Sequence, residues 1–275
     1  MKFLLPITLL LSTLLLKVNA TLWKPKPGLT WDYLLGGNKK TIQESKSDVV
    51  SISLDYAEKM VPILHKKGQK AICYFCGGSV GRRFVRALKY QCDGVEVDSF
   101  SSIISYDSKN FTVKDVENFA IMVAETAHEV GISVGLKNCS SLAEKLERYF
   151  DFAIVESCAL YNECRYFKKF TQNNKAVFSV HYNNLGYSLE EKKDILIRSQ
   201  RISNFTCIIS DYYLQKHSIN YDCNTDEENA QSKKTTTITK KTKSLAKKAT
   251  TTTKRKPTTK QSTPSSSTGG DSTKK

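Results

Sequence analysis

Eight short runs of β-branched and aromatic residues recur along the middle of this chain, and most are followed by a stretch of helical periodicity. The runs are Trp31–Leu35, Val49–Ser53, Ala71–Phe75, Gly94–Asp98, Ile132–Leu136, Phe152–Val155, Ala176–Val180 and Phe205–Ile209. Between them, Tyr56 to Lys67 places Ala57, Met60, Val61 and Leu64 at helical spacing and stops at Gly68. Arg82 to Tyr90 reads as a short helix. Thr112-x-x-Asp115 reads as a capping box for a helix to Val130, closed by Gly131. Ser141-x-x-Glu144 and Ser188-x-x-Glu191 read as two more helix starts, the second running to Arg201, and a further helix is expected over Tyr161–Gln172. Strands that alternate with helices predict parallel β/α units, and eight such units close into a barrel. The expected fold is therefore α/β, a small (β/α)8 TIM barrel. An open doubly wound sheet, or a barrel lacking one unit, follows from the same pattern.

In such a barrel the C-terminal ends of the strands carry the chemistry. Side chains alternate along a strand, so Glu96 and Asp98 share one face of the fourth run while Val95 and Val97 share the other. Ser133, Gly135 and Lys137 share a face at the fifth, and Phe152, Ile154 and Glu156 at the sixth. Asn138 follows Lys137, and His181-Tyr182 follows the seventh run. Asp98, Lys137 and Glu156 can thus converge on one mouth. A buried carboxylate must be paired or hydrogen-bonded, so a structural ion pair of Lys137 with either acid is the simpler account. Three ionisable residues at successive strand ends favour a cleft.

The flanks are different material. Lys2, an apolar run from Phe3 to Leu16 and a small-residue site ending at Ala20 predict a signal peptide over 1–20. Residues 225–275 are Thr, Ser and Lys with almost no large apolar side chain. They hold 13 Lys and Arg against 4 Asp and Glu, nine of the fifteen net positive charges. Such a segment cannot bury a core. It is expected to be a disordered tail, suited to O-glycosylation and to contact with anionic wall polymers, or else a plain solvated extension. The folded domain is expected over 21–224, a length that supports one core. All eight cysteines lie there. In an oxidising compartment an even count predicts disulfides rather than metal. Cys158 with Cys164 is the expected local pair, and Cys207 with Cys223 would tie the last strand to the domain's end. Cys73-x-x-Cys76 has zinc or redox spacing but no second pair to complete a site. Glycosylation acceptors stand at Asn110 and Asn204, with a third match at Asn138. The expected protein is secreted, wall-associated and monomeric, without cofactor, metal or nucleic acid.

The ordered set Cys73-Tyr-Phe-Cys-Gly-Gly78, Cys92-Asp-Gly-Val-Glu-Val-Asp98, Gly135-Leu-Lys-Asn138, Val155-Glu-Ser-Cys158 and Tyr161-Asn-Glu-Cys164 resembles glycoside hydrolase family 114. The resemblance runs from Trp31 to Tyr182. It implies a TIM-barrel endo-α-1,4-polygalactosaminidase or α-galactosidase, with Asp98 and Glu156 as the catalytic pair. The chain departs from the pattern at Ser99, where the family has Asn, at Ser53 in place of Asp, and at His181 in place of Glu. A long insert between the third and fourth strands is also missing, since 18 residues separate Phe75 from Gly94. That length still allows a crossover helix, which needs about 10–12 residues.

Glycosidic cleavage needs one carboxylic acid to protonate the leaving oxygen and a second carboxylate as nucleophile or as base for water. Asp98 and Glu156 are the candidates. Glu96, Lys137, Asn138, Tyr74, Trp31, His181 and Tyr182 are the expected sugar contacts, the aromatic ones by stacking. Loss of acidic groups at Ser53 and His181, with Lys137 in the mouth, predicts a preference for hydroxyl or acetamido groups over a free ammonium. The substrate is expected to be a polysaccharide containing galactosamine or galactose. A non-catalytic descendant that binds glycan stands as the alternative.

Overall fold

The computed structural model describes residues 22–77, 80–99, 111–185, 188–200 and 203–224. The expected leader, the Asn110 acceptor and the tail lie outside these residues. The chain divides into a unit over Met1–Asn229 and a second over Ala230–Lys275, and every described residue belongs to the first.

Eight strands run parallel and pair in chain order: β1 (Trp31–Leu34), β2 (Val49–Ser53), β3 (Lys70–Cys76), β4 (Gly94–Asp98), β5 (Ser133–Lys137), β6 (Phe152–Glu156), β7 (Val177–Tyr182) and β8 (Thr206–Ser210). The helices are α1 (Lys39–Glu44), α2 (Leu54–Lys66), α3 (Val80–Lys89), α4 (Val113–Glu129), α5 (Ala143–Leu146), α6 (Lys168–Gln172) and α7 (Leu189–Gln200). This is the expected α/β barrel. Thr112 caps α4 in a full capping box with Asp115, and Ser188 Oγ accepts from the Glu191 amide at 3.1 Å. Two expectations fail locally. Ser141 caps nothing, because a 3-10 turn over Ser140–Leu142 precedes a helix of one turn. The helix expected from Tyr161 begins only at Lys168, because the Cys158–Cys164 disulfide first closes a tight loop.

Closure of the barrel differs from the sequence reading, which missed a ninth strand. β9 (Ile219–Tyr221) runs antiparallel to β8. It meets β1 through side chains rather than a ladder. The Asn220 carboxamide accepts from Trp31 N at 2.8 Å and donates to Trp31 O at 2.9 Å, as a peptide unit would. Ser218 Oγ accepts from Tyr33 N.

Period-two alternation sorts the strand residues into two layers. Trp31, Tyr33, Ile72, Phe152, Ile154, Phe178, Val180 and Ile208 fill the barrel interior. Val50, Ile52, Cys73, Phe75, Val95, Val97, Val134, Leu136 and Val155 face the helices. Gly135 is required by this packing: a Cβ there would lie 2.2 Å from the Phe152 ring. Three disulfides join Cys73 to Cys92, Cys158 to Cys164 and Cys207 to Cys223. The first takes Cys73 out of the Cys73-x-x-Cys76 spacing, and Cys76 is left free and exposed. At the N-terminal end, Asp48, Asp93 and Asp151 stand just before β2, β4 and β6. Each accepts from the backbone amide at the start of the preceding strand: Thr30, Ala71 and Val134, at 2.8, 2.8 and 3.0 Å.

Candidate active site

At the opposite end, β3 to β7 deliver Tyr74, Asp98, Lys137, Glu156 and Tyr182 to one open cleft of about 310 Å³, whose lining also includes Tyr33, Leu35, Tyr212 and Leu214. The Lys137 ammonium is the centre of the arrangement. Its side chain is 2% exposed. It lies 2.8 Å from Glu96 Oε1, 3.5 Å from Glu156 Oε2 and 3.8 Å from Asp98 Oδ1. It also donates to Tyr33 OH at 3.0 Å. Because both cleft carboxylates approach the same nitrogen, Glu156 Oε2 and Asp98 Oδ1 lie no farther apart than the sum of their two distances to Nζ, which is below the roughly 9.5 Å upper limit for glycosidase carboxyl pairs.

Each carboxylate has its own support. Asp98 accepts from Tyr74 OH at 2.9 Å and from Ser99 N at 2.7 Å. Glu156 accepts from Tyr182 OH and, at 3.0 Å, from Asn138 Nδ2. The Asn138 carboxamide also accepts from Glu156 N at 2.9 Å, so it grips both the backbone and the side chain of that residue. Both acids remain about one-third exposed, 30% for Asp98 and 31% for Glu156. Glu96 differs from them: it is fully buried beneath Lys137 and accepts from Tyr33 OH at 2.7 Å.

Burial raises the pKa of Glu96, and Lys137 opposes that rise. Burial likewise pushes the Lys137 ammonium down, but Glu96, Glu156 and Asp98 together carry it above its usual value, so the lysine stays charged. Burial, followed by neighbouring carboxylates or Cys76, raises the phenols of Tyr33, Tyr74 and Tyr182. All three are hydrogen-bond donors at any physiological pH. Three carboxyl groups thus share a single ammonium. Among the described residues no group of His, Cys, Asp and Glu is placed to hold a metal ion. The space between the three acids is taken by Lys137 Nζ.

The backbone turns over immediately beyond each of the central residues. Ser99, Asn138 and Ser157 have φ of 82°, 49° and 52°. Left-handed conformations in non-glycine residues cost of order 1 kcal/mol each, and here they follow Asp98, Lys137 and Glu156 on three neighbouring strands.

Of the residues expected in the mouth, Asp98, Glu156, Lys137, Tyr74 and Tyr182 converge. Glu96 and Asn138 stand behind them as supports. Trp31 and His181 do not reach the cleft. Trp31 is fully buried in the barrel, donating Nε1 to Ser51 Oγ at 3.0 Å. His181 lies one residue out of phase with Tyr182 and faces outward, where Nε2 accepts from Ala159 N at 3.1 Å. The sequence reading missed Tyr33, although alternation from Trp31 puts it on the same face two residues nearer the mouth. It also missed Tyr212 and Leu214, which have no periodic signal.

Residues 13–82 and 80–228 match the sequence model described as glycoside-hydrolase family GH114. The matched segments meet in the β3–β4 connection. Among solved structures, the chain is similar to Aspergillus fumigatus Ega3 in complex with galactosamine, with 22% identity and a TM-score of 0.64 over 71% of this chain and 96% of that one. It is also similar to the glycoside hydrolase domain of PelA from Pseudomonas aeruginosa, with 11% identity and a TM-score of 0.52 over 70% of this chain and 98% of that one. Both likenesses are of fold. No curated protein sequence matches the chain.

Proposed function

The chain belongs to glycoside-hydrolase family GH114, and from that premise we propose that it hydrolyses galactosaminidic bonds in a polysaccharide, with Asp98 and Glu156 as the carboxyl pair. The observation that carries this reading is the shared ammonium. Two acids on β4 and β6, each about one-third exposed, face one cleft and both lie near Lys137 Nζ. One carboxyl protonates the leaving oxygen; the other attacks the anomeric carbon or activates water. Tyr74 and Ser99 N fix the first acid, and Tyr182 and Asn138 fix the second, so neither needs to reorganise as charge develops.

The same geometry revises the substrate preference expected from Lys137. Glu96 lies closest to that ammonium and matches its charge at depth. Whichever of Asp98 and Glu156 is not the proton donor is then left to present negative charge to the ligand. That favours a cationic amino sugar and an oxocarbenium-like transition state over a neutral hydroxyl. The galactosamine held by Ega3 accords with this choice.

The proposed protein is secreted, with a leader over 1–20, a barrel over 21–224 and a tail that meets anionic wall polymers. Three disulfides support an oxidising compartment. The test is reducing-end release from soluble poly-α-1,4-galactosamine. The wild type should turn over, and Asp98→Asn and Glu156→Gln should each abolish turnover. The double variant should be barely worse than either single, because the pair works as a unit. Equal signal from wild type and Asp98→Asn would end this assignment.

A further inference from the structure

The loop after β8 carries two tyrosines that the fold does not use. Tyr212 is 55% exposed and Tyr213 72% exposed. Exposed aromatic rings forgo the burial that usually justifies them. Yet their backbone is held firmly. Both Asp211 carboxylate oxygens accept from Gln215 N at 3.2 Å, and Oδ1 also accepts from Lys216 N at 2.9 Å. Leu214 N donates to Asp211 O at 3.0 Å, and Leu214 O accepts from Gly36 N at 3.2 Å. Leu214 itself is buried and adopts φ 55°. Gly36 passes so close that a Cβ would lie 2.1 Å from Tyr213 O. The loop is therefore anchored by main chain and by Leu214, with strain at one residue, while the two rings remain largely exposed.

The rings continue the cleft. Tyr182, whose hydroxyl holds Glu156, meets Tyr212 edge to face, with centroids 5.8 Å apart and planes at 73°. Tyr212 meets Tyr213 the same way, at 5.5 Å and 79°. A file of three phenols thus leads from the carboxyl pair to solvent. Tyrosine suits such a place, since it offers an apolar face to the C–H side of a pyranose and a polar tip to its hydroxyls.

We propose that Tyr212 and Tyr213 form a further sugar-binding subsite, which holds a ring of the polysaccharide at the outer edge of the cleft. The inference rests on the glycosidase reading for its ligand class, but its signature is binding rather than turnover. A subsite beyond Tyr182 makes the protein prefer polymer to monosaccharide derivatives.

The test uses the full-length protein, both wild type and Asp98→Asn, with Tyr213→Ala and Tyr213→Phe built on each. Retention in affinity gels of poly-α-1,4-galactosamine and of its N-acetylated form reports binding without turnover. Tyr213→Ala should weaken retention about tenfold, and Tyr213→Phe should restore most of it. In the active background, the Ala variant should raise KM on polymer far more than on an aryl monoglycoside, with kcat on polymer little changed. Thermal unfolding should move by no more than a degree or two. Retention unchanged by Tyr213→Ala, or no retention of the wild type on either polymer, would overturn the subsite. Loss of retention in a protein that shows no turnover would keep the subsite and end the catalytic reading instead.

Discussion

β4 carries an aspartate at each end, and the two have opposite fates. Asp93, just before the strand, is nearly buried. It accepts from Ala71 N and lies 2.7 Å from both His65 Nε2 and Lys70 Nζ. Asp98, at the last position of the strand, takes a phenol and the amide of its own neighbour. Asp151 repeats the first pattern before β6, with Val134 N and His128, while Glu156 at the far end of β6 repeats the second. The N-terminal rim offers strand amides that a carboxylate can cap, so acids there lock adjacent strands. At the C-terminal rim the donors come mostly from side chains on other strands. Acids there are left crowded, partly exposed and near like charge. One rim ties its carboxylates to strand amides, and the other leaves them facing the cleft.

Substitution at the two ends of β4 gives the largest contrast. Asp98→Asn should lower kcat by a factor on the order of a thousand or more, equivalent to at least about 4 kcal/mol of barrier. Its melting temperature should hold or rise, because one of three carboxylates around a single ammonium is neutralised. Asp93→Ala should do the reverse. It orphans a charged hydrogen-bond network and should cost roughly 2–3 kcal/mol in urea unfolding, with KM and kcat near wild type at a temperature where the variant is folded. Destabilisation by Asp98→Asn of the same size as by Asp93→Ala would erase the division between the rims.

Lys137→Met probes the boundary between these roles. Removing the ammonium strands a fully buried Glu96, and breaking a buried pair costs about 3–5 kcal/mol. Lys137→Met combined with Glu96→Gln should recover most of that stability without recovering activity, since Asp98 and Glu156 would still lack their shared cation. If the double variant regains turnover, Lys137 is a structural counter-ion only.

How much of this was legible from sequence follows the same division. The eight runs and the mouth positions of Asp98, Lys137 and Glu156 follow from period two and strand polarity, which are local properties. The N-terminal clamps were not read, because Asp48, Asp93 and Asp151 each lie outside the strand pattern and act across to a neighbour. β9 escaped because Ile219-Asn-Tyr221 is too short to show alternation, and its contact with β1 depends on one carboxamide. Trp31 and His181 were misplaced for different reasons. Trp31 faces inward as expected but lies two residues too deep, whereas His181 has the wrong phase. Tyr212 and Tyr213 sit in a loop whose shape depends on Gly36, some 176 residues earlier in the chain.

His181 extends the comparison to pH. Burial lowers its pKa from the usual 6.5 to about 3. The native state therefore holds a neutral ring, which accepts from Ala159 N behind Glu156, while the unfolded chain takes up a proton below pH 6.5. Stability is complete above that pH. It falls as pH drops toward 3, by at most about 1.4 kcal/mol per unit from this residue. His181→Gln should flatten that limb in unfolding curves measured from pH 7 to 4, whatever its effect at pH 7. A limb of unchanged slope would assign the acid sensitivity to other groups.

The smallest expected effect sits directly after Asp98. Ser99 holds φ 82°, a conformation that asparagine adopts more readily than serine. Its amide supports Asp98 through the backbone alone, so the side chain can change without removing that hydrogen bond. Ser99→Asn should relieve part of the strain, gaining about 0.5–1 kcal/mol, or roughly 2 °C in Tm for a domain of this size. Ser99→Val should lose more than that, because a β-branched residue resists the left-handed region. Turnover by Ser99→Asn should match the wild type if the aspartate keeps its position. A gain in stability accompanied by a loss of turnover would show that the strain at this strand end is itself what holds Asp98 in place.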